Sequence, residues 1–388
     1  MKNVLLVDTN FSAAPLYNYI NEKGFNVFVC GGNPFDYLAK AVNNYIKLDY
    51  SDIDNLFKIS KELQIDYIVP GCNDLSYQVC ARLNKKKYFF GIDAPETAQL
   101  INNKKKFRKI ATNLGLPVPK IFSHDNLSAF WPVIVKPVDA YSGRGVTVVR
   151  ESEQEKLPSA IQKAEKFSRT GTCVIEEYVE GQLYSHSAFI ADRKILADFI
   201  VEEHSTANSF VVDTSRVIYD FPKEILLRIR KIIQLLASKL NLVDGLIHTQ
   251  FIKNEDVFWL IEITRRCPGD LYSKLIESST AFPYVESYVR PFLNQPVMFE
   301  NSIKQTQYYV LRHTISQPSG NLFSSIRFNR SVEIENLIFL ALSGDNVKES
   351  PFGRIALLFA KANSEEELCG LMDSALKREL YKINSNIF

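Results

Sequence analysis

The residues best suited to chemistry in this 388-residue chain are cations, carboxylates and glycines. In VIVKPVDAYSGRGVTVV, residues 133–149, Lys136 ends one apolar run, and Ser142, Gly143, Arg144 and Gly145 precede a second. Glycines let a backbone approach a ligand and let successive N–H groups form an anion-binding concavity. The same residues also suit an ordinary hairpin turn. In VIEEYVEG, residues 174–181, a strand runs through Glu176 and Glu177 into Tyr178 and Val179. A strand leaving its sheet offers the free N–H and carbonyl that an adenine edge needs, although two adjacent acids are equally well one exposed and one half-buried side chain. Gln250 in LIHTQFI and Glu262 in VFWLIEI lie on two expected neighbouring strands joined by KNED. Oxygen ligands on facing strands suit magnesium. Arg265 and Arg266 follow Glu262 closely, and a planar guanidinium beside a metal can bind an oxyanion or a substrate carboxylate. Lys104, Lys105 and Lys106 open an expected helix at its positive end, which is unfavourable unless an anion lies nearby. A solvated charge run explains these lysines equally well.

Several elements must position these residues. The first ninety or so residues alternate short apolar runs (NVLLVD, FNVFVCGG, DYIVPG) with helical patterns, which predicts a parallel sheet with crossover helices. No GxGxxG follows the first strand, since VDTNFSAAP stands there, so the domain is Rossmann-like in shape only. The spacing predicts a helix from about Asn103 to Gly115, strands over 131–200, an amphipathic helix ending near Asn241, the strands of Gln250 and Glu262, and further strands before a last helix capped at NSEEE. Lys+Arg at 46 against Asp+Glu at 44 gives a formal charge of +2, which supplies no global attraction to nucleic acid or to an anionic membrane. The apolar start of MKNVLLVDTN is too short for a signal-peptide core and no run is long enough to span a bilayer, so a cytoplasmic protein is expected. The six cysteines contain no CxxC pair and are expected to be reduced thiols.

Taken in order, NKKKFRKIATNLGLPVPK, VIVKPVDAYSGRGV, EEYVEG and the pair Gln250 with EITRR resemble the ATP-grasp superfamily, over roughly residues 1–380. The resemblance implies an α/β protein: a Rossmann-like preATP-grasp domain over 1–95, a two-subdomain ATP-grasp fold over 96–295 divided near 195, and a strand and helix region over 296–388. It implies that Lys104 and Lys136 reach the phosphates of ATP, that Ser142, Gly143, Arg144 and Gly145 form the glycine-rich loop over them, and that Glu176, Glu177, Tyr178 and Val179 form the adenine hinge. Glu262 matches the main Mg2+ ligand, with Gln250 and Thr264 beside it and Mn2+ as an alternative ion. Arg266 matches the arginine that steadies the acyl phosphate or the transferred phosphoryl group; with Lys136 it is the expected catalytic residue.

Three positions depart from the family pattern. Leu183 stands where a glutamate usually binds ribose hydroxyls, Gln250 where a glutamate is frequent, and Thr264 where an asparagine is usual; the last two retain an oxygen ligand at lower negative charge. His186 and His248 lie on cleft strands, Arg265, Asp270 and Tyr272 flank Arg266, and the segment from Glu203 to Arg216 reads as a loop near the acceptor site. The resemblance implies an ATP-dependent carboxylate–amine ligase that forms an amide through an acyl phosphate, acting on small carboxylate and amine substrates, with a homodimer common among relatives. Alternatives are a biotin carboxylase-like or purine-pathway reaction, or a nucleotide-binding regulatory protein without turnover.

Overall fold

A computed structural model describes residues 1–123, 131–140, 143–297 and 307–386. The apolar runs of the first domain become β1 (Asn3–Val7), β2 (Asn26–Gly31), β3 (Tyr45–Lys47) and β4 (Tyr67–Pro70), all parallel in the order β3-β2-β1-β4. The helices α1 (Ala14–Glu22), α2 (Tyr37–Ala41), α3 (Ile53–Glu62) and α4 (Asp74–Asn84) connect and follow them. Parallel strands buried on both faces read as continuous apolar runs, which is why Val4 to Val7 are all fully buried. Two helices, α5 (Pro95–Asn102) and α6 (Lys104–Asn113), lead onward, and Asn103 caps α6 by accepting the Lys106 N–H at 3.0 Å.

A second, antiparallel sheet in the order β5-β8-β6-β7 contains β5 (Ile121–Phe122), β6 (Val133–Pro137), β7 (Thr147–Val149) and β8 (Cys173–Glu177), with α7 (Leu157–Phe167) packed on it. The stretch around Lys136 is thus a hairpin, β6 pairing β7 from Val133 opposite Val149 to Val135 opposite Thr147.

The third sheet has eight strands. It begins with β9 (Gln182–Ala191), β10 (Lys194–His204) and β11 (Thr214–Ile218), and after α8 (Lys223–Lys239) adds β12 (Gly245–Asn254) and β13 (Val257–Thr264). Beyond α9 (Tyr272–Thr280) and α10 (Tyr284–Val289) the chain returns as β14 (Tyr309–Ile315). Around the short strands β15 (Asn321–Leu322), β16 (Ser325–Phe328) and β18 (Asn346–Val347) lie β17 (Glu333–Phe339) and β19 (Ala356–Ala362), and α11 (Glu365–Leu376) and β20 (Tyr381–Asn384) close the chain. The order β13-β12-β9-β10-β11-β14-β19-β17 makes the C-terminal strands a continuation of this sheet. Ser364 caps α11 by accepting the Glu367 N–H, the pattern NSEEE foreshadows.

The two faces of the large sheet have different fates. Ala188, Ile190, Ile200, Ile247 and Phe251 pack against α8, whose Ile225, Ile229, Ile233 and Leu236 recur at helical spacing. On the other face Phe189, Phe199, Val201 and Leu246 join α9, α10 and the first domain in one core. The half of that second face nearest β13 is polar, and it is there that the site residues gather.

Candidate active site

Strand register selects which residues meet. Gln250 on β12 lies opposite Glu262 on β13 and Ser185 on β9, and His248 lies opposite Thr264 and Ser187, so all six share one sheet face. Glu262 is 38% exposed, which leaves its carboxylate available to a ligand. The Gln250 amide donates to Glu203 at 2.7 Å, which commits its NH2 group and leaves its carbonyl oxygen as the acceptor.

Lys104 comes to the same place from α6. Its Nζ lies 3.8 Å from Glu262 Oε2 and donates to the Ala140 carbonyl at 3.0 Å, while its backbone N–H donates to Val138. Lys105 and Lys106 remain exposed, so the lysine run divides into one site residue and two solvated ones. Lys136, facing in from β6, donates to Glu176 at 3.0 Å. Arg266 sits just past β13 and places its Nε 2.9 Å from Asp74 Oδ1. Each of these three cations is therefore held by one carboxylate: Lys104 by Glu262, Lys136 by Glu176, Arg266 by Asp74. An incoming polyphosphate would meet a set of paired charges already at their posts.

The glycine-rich turn follows Lys136 and is seated against a segment of the large-sheet region. Gly143 and Gly145 have φ of +63° and +74°, and a Cβ on Gly143 would stand 2.6 Å from the Phe210 carbonyl oxygen. The turn thus rests directly on the segment between β10 and β11, and Arg144 lies over the Phe352 ring at 5.5 Å. Ser142 lies outside the described residues. The linker from β8 to β9 joins the two sheets. There Glu177 and Tyr178 donate their N–H groups to Lys120 and Pro132, whereas the Val179 N–H has no protein acceptor among the described residues.

Several expectations change at the side-chain level. Glu176 is fully buried, so its carboxylate serves Lys136 and Arg108 and cannot reach a nucleotide. Burial pushes its pKa up, but the charges of Lys136 and Arg108 outweigh that and hold it at about 2. His186 does not face the cleft. Opposite Ile200 and Thr249, it points to the α8 side and pairs with Asp198 at 2.9 Å, which Arg230 also holds. Arg265 is buried and fully occupied: Nε donates to Asp93 at 2.7 Å, Nη1 to Leu246 O and Nη2 to Val243 O. Thr264 donates its hydroxyl to Asp74 at 3.1 Å, on the same face as Glu262. Tyr272 is buried, with its hydroxyl 2.9 Å from Ser185 Oγ.

Other expectations acquire a location. His248 is buried on the polar face with Nδ1 2.8 Å from Ser187 Oγ; burial, then the charges of Arg266 and His186, push it down to about 3, so it is neutral at physiological pH. Asp270 has a φ of +52°, pairs its carboxylate with Arg354 and accepts from Arg312 through its carbonyl. Leu183 lies directly across from Glu203, so a glutamate at 183 would face a like charge.

Two residues escaped the sequence reading. Arg108 is 1% exposed and bonds Glu176 twice, at 2.8 and 3.2 Å, and the Leu260 and Ile261 carbonyls, which ties the hinge strand to the strand of Glu262. Asp74 begins α4 at the carboxyl end of a parallel sheet, the position where such sheets present ligands. Its carboxyl is pushed up by burial, but the Arg266 guanidinium outweighs this and holds it below the usual range.

Known proteins share part of this sequence and its fold. Residues 129–274 match the family model for an ATP-grasp domain. Over those residues the chain is similar to an ATP-grasp domain. The chain is 25% identical over 324 residues to the formate-dependent phosphoribosylglycinamide formyltransferase of Prochlorococcus marinus, covering 80% of each. Its match to the enzyme of the same name from Methanocaldococcus jannaschii is 28% over 154 residues, 36% of this chain and 38% of that relative. Among solved structures, an L-amino acid ligase from Bacillus licheniformis superposes with a TM-score of 0.80 at 18% identity, covering 100% and 99% of the two chains. A phosphoribosylglycinamide synthetase from Anaerococcus prevotii gives 0.76 at 17%, covering 99% and 100%. The likeness in fold to these two enzymes therefore extends over the whole chain. No helix among the described residues is long and apolar enough to cross a membrane.

Proposed function

We propose that this protein is an ATP-grasp enzyme, an ATP-dependent carboxylate–amine ligase. ATP phosphorylates a small carboxylate, an amine attacks the acyl phosphate, and an amide or peptide bond forms with release of ADP and phosphate. The observation that carries the reading is the convergence of Lys104 from α6, Lys136 from β6, and Glu262 and Arg266 from the end of β13 around one cleft. Phosphoryl transfer needs positioning and charge neutralisation more than covalent chemistry, and this set supplies both. The relatives whose names specify a small carboxylate, formate in one and an L-amino acid in another, support that substrate class.

In this reading Lys104 and Lys136 bind phosphate oxygens, the backbone at Gly143 to Gly145 covers them, and the free Val179 N–H meets the adenine edge. Arg266 holds the transferred phosphoryl group or the acyl phosphate. The residues present fit magnesium: Glu262 and the Gln250 carbonyl are hard oxygen donors on adjacent strands. Among the described residues no cluster of three or more His, Cys, Asp or Glu could hold a metal, so the ion would complete its shell with phosphate oxygens and water, as Mg2+ commonly does and Mn2+ can. The bound ion would neutralise charge on the phosphates.

The test is phosphate release from ATP and Mg2+ with pairs of amino acids and other small carboxylates, with mass detection of the condensed product. Lys136→Ala and Glu262→Ala should each lower turnover at least ~100-fold, the scale on which loss of one preorganised charge stabiliser acts. Unchanged turnover in either folded variant refutes the assignment.

A further inference from the structure

We propose that Asp74, contributed by the first domain, is a positioning residue that sets the orientation of Arg266 for the phosphoryl group. The inference rests on the ligase reading and adds to it a part for a domain that holds none of the nucleotide motifs. One carboxylate engages two residues at the end of the metal strand. Arg266 donates Nε to Oδ1 at 2.9 Å and Nη2 to Oδ2 at 3.5 Å, and Thr264 donates its hydroxyl to Oδ1 at 3.1 Å. A guanidinium gripped along its Nε edge has lost its rotation about the last side-chain bonds, while Nη1 has only a 3.4 Å contact to the Cys267 carbonyl. The Nη1 edge is the one left for an anion.

Asp74 is itself fixed from behind. Asp8 accepts the Asn10 N–H at 3.0 Å and the Cys72 N–H at 2.9 Å, which pins the turn between β4 and α4. Gly71 allows the close approach, since a Cβ there would stand 2.1 Å from Asp8 Cβ. Asn73 then caps α4 through the Ser76 N–H at 2.9 Å, so Asp74 starts the helix at its positive end, where a carboxylate is favoured. The chain of support runs from Asp8 through the turn to Asp74 and from there to Arg266.

The sign of the effect separates positioning from charge. Removing a negative charge beside an anion site should, by Coulomb's law alone, tighten anion binding. If Asp74 aims Arg266, the same change weakens it. The probe is inorganic phosphate titrated calorimetrically into the full-length protein saturated with MgADP, which requires no identified substrate. Asp74→Asn should weaken phosphate about tenfold while leaving MgADP affinity within about twofold, and Asp74→Glu should recover part of the loss. In the Arg266→Gln background, Asp74→Asn should have no further effect, because its action runs through that arginine.

Phosphate affinity unchanged or tighter in Asp74→Asn overturns the proposal, as does a loss that adds in full to that of Arg266→Gln. A parallel fall in MgADP affinity also overturns it, since that is the mark of a merely structural role. Absence of phosphate binding to the wild-type MgADP complex overturns the proposal alone. Wild-type protein that binds no MgADP, or binds it equally well after Lys136→Ala, removes the ligase reading and the proposal with it.

Discussion

Glu176 shows how a buried charge serves a neighbouring site. Its carboxylate is inaccessible, yet it is shared between Lys136, which faces the cleft, and Arg108, which holds the carbonyls beside Glu262. Its pKa in the fold, about 2, lies below the ordinary value of 4.5. The unfolded chain therefore binds its proton first as pH falls. Stability from this group is full above about pH 5 and drains away as pH falls toward 2. Glu176→Gln should be less stable at neutral pH by about 3 kcal/mol, because two cations lose their counter-ion, and the difference should shrink steadily between pH 5 and pH 3. Urea denaturation at stepped pH measures it; parallel curves for wild type and variant would remove Glu176 as the titrating group. These relations also explain what the sequence conceals. Lys104, Lys136, Glu262 and Arg266 stand out because each sits in a local pattern. Arg108 lies in a basic run that resembles a solvated face, and its partner Glu176 is 68 residues away. His186 fails for a different reason: whether a strand residue faces the cleft depends on strand register, and a shift of one position exchanges the faces.

At the scale of elements, local chemistry was the most legible part. The hairpin of β6 and β7, the capped start of α6 and the amphipathic α8 each follow from residue type and spacing within one segment. What rests on the hairpin turn was not legible, because Phe210 reaches Gly143 from the segment between β10 and β11. That contact gives the glycine a definite role. At Gly143, φ is +63° and a side chain would stand 2.6 Å from the Phe210 carbonyl oxygen. Gly143→Ala should therefore lift the turn from its seat at a penalty of about 1–3 kcal/mol, which for ATP is a rise of about 5- to 150-fold in the concentration giving half-maximal phosphate release. The melting temperature should hardly change, since the turn lies outside the main cores. A variant with wild-type ATP dependence would show that the observed turn conformation is not the one that binds nucleotide.

For the whole molecule, the successive arginines after β13 are the decisive feature. Arg265 and Arg266 take carboxylates from the same first domain: Asp93, just beyond α4, and Asp74 at its start. One pair is buried and structural, the other lines the cleft, and together they lock the parallel sheet against the large one. Asp93 is saturated. It accepts Arg265 at 2.7 Å, the Tyr77 hydroxyl at 2.6 Å and the Val243 N–H at 2.9 Å, with its side chain wholly buried. Removing one partner of such a pair strands the other charge in the interior and typically costs about 3–5 kcal/mol. Asp93→Asn should lose stability on that scale, with the first domain melting ahead of the rest in calorimetry and becoming open to proteolysis between α4 and α5. If the domains instead melt together with a loss below about 1 kcal/mol, the lock lies elsewhere in the apolar interface, among residues such as Tyr288, whose hydroxyl donates to the Pro70 carbonyl at 3.0 Å. Because Asp93 touches no residue of the nucleotide set, a surviving folded fraction should retain MgADP binding, which separates loss of the domain lock from loss of the site.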